Sequence, residues 1–327
     1  MLDFAAQHGP IEEQLIEKAT EVIRSGRYIL GPEVEAFERE VADYLGIEHA
    51  VGVSSGTDAL LLALMSLGIG PGDEVITTTF SFFATGGCIA RVGATPVFVD
   101  IEPDTFNIDV EQVAAAVTER TRAIVPVHLF GQACDMQGLR AIADEHDLPI
   151  IEDAAQAIGA QSAIGPTGGG GTYACFSFFP AKNLGALGDA GLLTARDADA
   201  AERARVLRAH GGKPKYHHAL IGGNFRIDAL QAALLRVKLP ALDGWTLERK
   251  ANAARYDTAF ADAGLPEDLL QPPIRRSESH VYNQYVLRSS ARDALASHLR
   301  SEGIATAIYY PIPLHRQECF AELGYRE

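Results

Sequence analysis

The sequence predicts an α/β fold, with a large domain built on a mainly parallel sheet and a smaller α/β domain behind it. Three observations carry this. From residue 50 to about 195, short apolar, β-branched runs alternate with helical segments, the texture of strands covered on both faces by crossover helices. The turns between them are short and rich in glycine or proline. Beyond residue 240 the pattern shifts, and 327 residues are roughly twice a typical domain.

The elements follow in order. Residues 11–24 place apolar side chains at helical intervals, and 32–45 form a second helix that opens on Pro32 and closes before Gly46. HAVGV predicts a strand and TDALLLALMSLG a helix; EVITTTF (74–80) is a strand and FFATGGCIARVG its crossover. TPVFVD (95–100), RAIVPVHLFG (122–131) and PIIEDAAQ (149–156) are strands, separated by helices at 109–118 and 137–146. YACFSFFP (173–180) and AGLLTA (190–195) are two more. The AKNLGALGD between them is too short for an ordinary helical crossover, which leaves an irregular connection or a hairpin. GPTGGGG (165–171), the one low-complexity patch, reads as a mobile surface loop. A long helix over 239–264 leads into a β-α-β texture, with strands at 280–289 and 304–313 around a helix at 291–303. This divides the chain into 1–245 and 246–327.

Composition narrows function. With 43 acidic and 28 basic residues the formal charge is −15, which argues against a nucleic-acid partner. Cys88, Cys134, Cys175 and Cys319 match no metal-ligand spacing, so no metal is expected. No uninterrupted apolar stretch of about 18 residues predicts a membrane span, and the opening residues do not resemble a signal peptide. A cytoplasmic protein is the expectation.

Three segments have the makings of a site. In SSGTDA (54–59), Gly56 and Thr57 either offer N–H groups to an anion at a helix start or simply begin a capped helix. Asp153 ends an apolar strand, the usual address of ligand groups in open α/β sheets, or it caps the next helix. Its neighbour Glu152 points to the opposite face, where a structural ion pair is expected. Lys182, one of six lysines against twenty-two arginines, lies in FSFFPAKNLG among apolar and small residues. A desolvated lysine there forms a Schiff base with a carbonyl; an exposed one is ordinary surface. Ser177 is near enough in sequence to hold the same ligand.

Taken in order, these segments resemble the DegT/DnrJ/EryC1/StrS sugar aminotransferases, pyridoxal-phosphate (PLP) enzymes of fold type I. The resemblance runs from residue 3 nearly to the end, through SGRYILGPEVEAFEREVADYLG, VGVSSGTDALLLAL, GPGDEVITTTFSFFAT, PVFVDIEPDTFNID, AIVPVHLFGQ, IIEDAAQAIGA, CFSFFPAKNLGALGDAG and NFRIDALQAALLRVKL. It implies a seven-stranded, mainly parallel sheet in the large PLP-binding domain. Lys182 is then the internal aldimine lysine and the acid–base group, and Asp153 the partner of the pyridinium nitrogen. Gln156 lies near the phenolic oxygen and Phe82 stacks on the ring. Gly56, Thr57 and Ser177 hold the phosphate, with Asn224 reaching in from the second subunit of a homodimer with shared active sites.

The implied reaction takes the amino group of L-glutamate through an external aldimine to pyridoxamine phosphate, and then to the keto carbon of a nucleotide-linked sugar. The product would serve surface-polysaccharide or lipid A amino-sugar synthesis. Tyr216-His217-His218 ahead of Asn224 is similar to the members acting on 3-keto sugars, with Arg226 near a sugar or phosphate oxygen. Tyr309 and Tyr310 stand where relatives acting on a 3-keto uronic acid carry His-Tyr. A UDP-3-keto-N-acetylglucosamine is preferred to a dTDP-3-keto-6-deoxyhexose, a UDP-3-keto uronic acid or a 4-keto sugar. A non-catalytic sensor of the same fold is the rival from another class. The chain closes on GYRE, some fifty residues before the family pattern does, so an incomplete second domain is also expected.

Overall fold

The protein is described by a computed structural model covering residues 3–214 and 216–325. Seven strands form the central layer: β1 (His49–Val53), β2 (Glu74–Thr78), β3 (Thr95–Val99), β4 (Thr121–Val125), β5 (Ile151–Asp153), β6 (Tyr173–Ser177) and β7 (Gly191–Ala195). They run β3-β2-β4 and β5-β6-β7-β1, and parallel bridges Ile124–Ile150 and Val127–Asp153 join the two halves. β7 alone among these seven is antiparallel to its neighbours, β6 and β1. The short segment around Lys182 is therefore the connection of a β6–β7 hairpin, because thirteen residues cannot carry a helix across the sheet and back.

The helices are α1 (Phe4–His8), α2 (Glu12–Ser25), α3 (Pro32–Leu45), α4 (Gly56–Ser66), α5 (Ala84–Arg91), α6 (Val110–Ala116), α7 (Met136–Glu145), α8 (Ala198–Arg208), α9 (Ala229–Lys238), α10 (Leu242–Ala263) and α11 (Arg292–Ser301). α4, α5 and α8 pack on one sheet face and α3 and α9 on the other. Leu192 and Leu193 of β7 point to opposite sides, as successive strand residues must. Leu193 joins Val51, Val53 and the α4 leucines in one core, while Leu192 joins Phe37, Phe176 and Phe178 in the other. α3 buries Val34, Phe37, Val41 and Leu45 on one stripe. Phe37 meets Phe178 edge to face at 5.5 Å, so the second core grips the first residue of the Lys182 loop.

Two expectations need correction. The glycine patch at 165–171 is not a mobile surface loop: it wraps a buried carboxylate. Gly168 and Gly171 donate N–H groups to Glu152 at 3.0 and 2.7 Å. A side chain on Gly168, which has φ +102°, would strike the Phe176 ring at 2.7 Å. The second region has less strand than its texture promised. Among the described residues, strand pairing there is confined to Leu270–Gln271 with Arg288–Ser289, and 304–313 forms no ladder. β-branched sequence makes a strand only where a neighbouring strand takes up its N–H and C=O groups. The 245/246 division falls in the first turn of α10.

One buried amine ties the chain's beginning to the Lys182 loop. Lys238, 1% exposed, donates to the Gly185 carbonyl and stands 2.8 Å from His8 Nε2 and 5.9 Å over the Trp245 ring. Burial pushes its amine down to about 8. Between that value and the ordinary lysine range the unfolded chain holds more protons, so this residue's contribution to stability rises with pH. The stability of the native chain relative to Lys238→Met is expected to improve by on the order of 1–2 kcal/mol from pH 7 to 9.5. Thermal unfolding at the two pH values checks this; a pH-independent difference contradicts it.

Candidate active site

The site forms at the edge of the sheet where β1, β5 and β6 end, with the start of β7 between β1 and β6. After β1 the chain turns through Ser54 into α4. Ser55 caps that helix by accepting from Asp58 N at 3.0 Å, and the Ser54 hydroxyl donates to Asp58 Oδ2 at 2.6 Å. The first-turn N–H groups of Gly56 and Thr57 lack intrahelical partners, as all such groups do. Gly56 is packed so closely on the end of β6 that a Cβ there would stand 2.7 Å from Ser177 Cβ. Gly56 and Ser177 thus meet at the positive end of a helix, with Thr57 next in its first turn.

Asp153 is the last residue of β5 and is 5% exposed. Its Oδ2 accepts from the Thr85 hydroxyl at 2.8 Å and its Oδ1 from Ala155 N at 3.2 Å. Burial pushes its carboxyl above the usual range, against those two hydrogen bonds and the positive charge of Lys182. Lys182 is half-buried, and its backbone N–H closes a turn onto Phe179 O at 2.8 Å. Burial pulls its amine down, with the Asp153 charge opposing. An amine that loses its proton easily and a buried carboxylate therefore stand near enough for each charge to act on the other.

Glu152 points the other way, as expected, to a fully buried partner. Cys134 N–H donates to His128 Nδ1 at 3.1 Å, which leaves Nε2–H to donate to Glu152 at 2.8 Å. With the two glycine N–H groups this arrangement satisfies the carboxylate and locks the end of β5. Gln156, 6% exposed, accepts from Phe130 N at 2.6 Å through Oε1 and donates to Tyr310 OH at 3.2 Å through Nε2. Burial pushes the Tyr310 phenol up to about 12, against the Gln156 hydrogen bond, so it stays neutral at working pH. Tyr309 lies edge to face with it at 5.6 Å.

Arg226 joins the α4 end of the site through the backbone: it bridges Val53, and Phe225 O accepts from Ser54 N at 2.9 Å. Its Nε is buried without a hydrogen-bond partner among the described residues. Phe82 (60% exposed), Tyr216, His217, His218 and Asn224 lie on the surface. His218 Nδ1 is 3.0 Å from His210 O, which fastens the 210–218 loop to itself. The structure therefore gathers Gly56, Thr57, Asp153, Gln156, Ser177, Lys182 and Tyr310, and leaves the loop residues facing outward.

These groups suit a phosphorylated pyridine aldehyde: a cradle that only glycine leaves open, an orphaned guanidinium nitrogen, a buried carboxylate and a readily deprotonated amine. A seven-stranded sheet with one antiparallel strand, carrying such a lysine in its hairpin, defines the fold type I PLP-dependent transferases. The chain belongs to the DegT/DnrJ/EryC1/StrS aminotransferase family, whose family model matches residues 10–327.

A pleiotropic regulatory protein of Geobacillus stearothermophilus is 50% identical over 327 residues, covering 100% of this chain and 88% of the relative. The UDP-N-acetyl-3-dehydro-α-D-glucosamine 3-aminotransferase of Acidithiobacillus ferrooxidans is 44% identical, covering 98% and 86%. Among solved structures, DesV of S. venezuelae in complex with a ketimine intermediate superposes with a TM-score of 0.94 at 44% identity, covering 98% of this chain and 85% of that one. Other relatives at 40–45% identity are named for dTDP-3-amino-sugars and for a UDP-linked 3-oxo-glucuronate, and solved neighbours include PLP and PMP forms.

Sequence reasoning missed Thr85, His128 and the Gln156–Tyr310 contact. Thr85, the second residue of α5, lies in a run of small residues that carries no signal of its own. His128 is a polar residue inside the apolar PVHLF run, and that conflict was the available clue.

Proposed function

We propose that this chain moves the amino group of L-glutamate to the keto carbon of a nucleotide-linked 3-keto sugar, foremost a UDP-3-keto-N-acetylglucosamine. The observation that carries the chemistry is a half-buried Lys182 amine close enough to the buried Asp153 carboxylate for each charge to act on the other. The sugar assignment draws on the 44% identical 3-aminotransferase and on the Tyr216-His217-His218 run.

PLP, when bound, supplies the aldehyde that joins an amine and the ring that accepts electrons as a Cα–H bond breaks. Every other part of the work falls to this chain. Gly56, Thr57 and Ser177 hold the phosphate with N–H and hydroxyl donors at a helix end. Asp153 holds the pyridinium nitrogen protonated, and Thr85 and Ala155 fix the angle of its carboxylate. Phe82 covers the ring, and Gln156 donates near the phenolic oxygen. Lys182 Nζ takes the proton from the glutamate Cα and later returns one to the sugar carbon, so one amine is base and acid in turn. Tyr309 and Tyr310 line the sugar's side, and Arg226 meets a sugar or phosphate oxygen, giving an acidic protein a local cation for an anionic substrate.

Asn224, Tyr216, His217 and His218, all exposed in one protomer, serve a site completed by a second copy. Ile221, 92% exposed, lies on the same loop. Tyr28 and Ile29 stand exposed where they meet α9, Ala229 N donating to Tyr28 O at 2.9 Å. Apolar surface of this kind is what a homodimer buries. We further assign 1–245 to the cofactor-binding domain and 246–327 to a smaller domain over the substrate. A cytoplasmic location fits the absence, among the described residues, of any helix able to cross a membrane, and the product suits surface-polysaccharide or lipid A synthesis.

Supplying 15N-glutamate with a panel of keto nucleotide sugars, and reading the aminated carbon by NMR, tests the assignment. Label at C3 of a UDP-N-acetylhexosamine supports it, and label at C4 overturns it. A regulatory role, in keeping with the name of the 50% identical relative, predicts no labelled sugar at all.

A further inference from the structure

Lys182 sits on a connection of thirteen residues between β6 and β7, and a loop holds an amine in place only if something fastens it. Its neighbour Asn183 is 1% exposed, although its side chain is polar and no charge or ligand role is assigned to it. Asn183 Nδ2 donates to Val281 O at 3.0 Å, across 98 positions of sequence. Val281 is in turn stitched to the opposite wall of the site: Val281 N donates to Gly131 O and Asn283 N to Phe130 O, each at 2.9 Å. The two segments are in close contact, since a Cβ on Gly131 would stand 2.8 Å from Val281 Cγ2 and 3.0 Å from Asn283 N.

The same Phe130 donates its N–H to Gln156, which donates to Tyr310. From behind, Arg249 of α10 donates to Tyr282 O at 3.3 Å and Asn283 O at 3.4 Å. Segment 281–283 is thus a clasp with the Lys182 loop on one side and the Gln156–Tyr310 pair on the other.

We propose that Asn183 is a positioning residue: by tying the Lys182 loop to Val281, it sets where the Lys182 amine stands relative to Gln156 and Tyr310. Its consequence for the rate rests on the reading of Lys182 as the proton-moving group. An amide suits the task because it donates to a carbonyl without adding charge next to Lys182 in the chain. An aspartate at 183 would turn an acceptor toward the Val281 carbonyl and put a second carboxylate in the site.

The test uses purified holoenzyme of Asn183→Ala, Asn183→Asp and the amide-retaining Asn183→Gln, matched for cofactor content. Two readouts respond to positioning rather than to folding: the midpoint pH of the visible absorbance change of the bound cofactor, and the split between kcat and the sugar KM. Asn183→Ala should lower kcat roughly 10-fold or more with KM within about 2-fold, since small displacements of a reacting group are costly. It should also move the absorbance midpoint by about half a pH unit or more.

Asn183→Gln should recover part of both effects, and Asn183→Asp should recover neither. Hydrogen exchange should rise together in peptides covering 128–132 and 280–284. If Asn183→Ala does not fold, Asn183→Ser, too short to reach Val281, takes its place. A lowered Tm with kcat and midpoint unchanged overturns the proposal. The absorbance midpoint needs no sugar, so it tests Asn183 even if the proposed sugar substrate is refused.

Discussion

Replacing Lys182 with alanine is expected to lower amino transfer by about 10⁴-fold or more, while the protein stays folded and still takes up cofactor. The size follows from losing the two functions proposed for one atom: the amine that joins the cofactor and the base that moves the proton, the second alone being worth about 10²–10⁴-fold. Folding should survive because the lysine is only half-buried and its amine makes no hydrogen bond that the fold depends on. Gly56, Thr57 and Ser177, proposed to hold the phosphate, are untouched. Single-turnover kinetics with glutamate, alongside a thermal melt, read the two effects separately.

The native enzyme carries a related pH signature. Because burial lowers the Lys182 amine, its neutral, nucleophilic form persists to a pH below the ordinary lysine range and is lost as pH falls further. The acid limb of the rate profile should therefore include a step that Lys182→Ala lacks.

The second large effect is at Asp153. Asp153→Asn keeps the shape but removes the negative charge, and kcat should drop by about 10²–10³-fold, the usual cost of a lost preorganised electrostatic partner. Stability should move in the opposite direction. Burial raises the carboxyl in the free protein, so the folded state binds a proton more readily than the unfolded chain does. Between the ordinary carboxylate range and that raised value, stability falls as pH rises, and above both the ionised group carries its full desolvation cost. The cofactor-free Asp153→Asn protein should accordingly melt above the native cofactor-free protein at pH 8, and this advantage should shrink on loading with PLP. An active site kept at the expense of stability behaves in this way. A variant that melts lower in the cofactor-free form and retains full kcat contradicts the assigned role.

Much of this was legible in the chain itself, for identifiable reasons. The parallel sheet announces itself because buried strands must be apolar on both faces and their crossovers need helices. Segment length around Lys182 excludes a helical crossover, and the antiparallel β6–β7 pairing decides between the irregular connection and the hairpin that length left open. Asp153 and Lys182 stand out because charged residues next to apolar runs need a reason to be there.

What escaped depends on distant partners. Thr85 and Asp153 are 68 positions apart, and Gln156 and Tyr310 are 154 apart; no local pattern encodes such pairs. The glycine run at 165–171 was misread because its composition reports freedom, whereas the N–H groups of Gly168 and Gly171 are committed to Glu152. The segment at 304–313 has strand composition but no neighbour with which to form a ladder.

The most direct test of the account adds glutamate alone, without any sugar, to the purified holoenzyme. The account predicts about one equivalent of 2-oxoglutarate per site, together with loss of the visible absorbance, and neither from the Lys182→Ala protein. Absence of the oxo acid from the native enzyme, or its release in equal amount from Lys182→Ala, would contradict it.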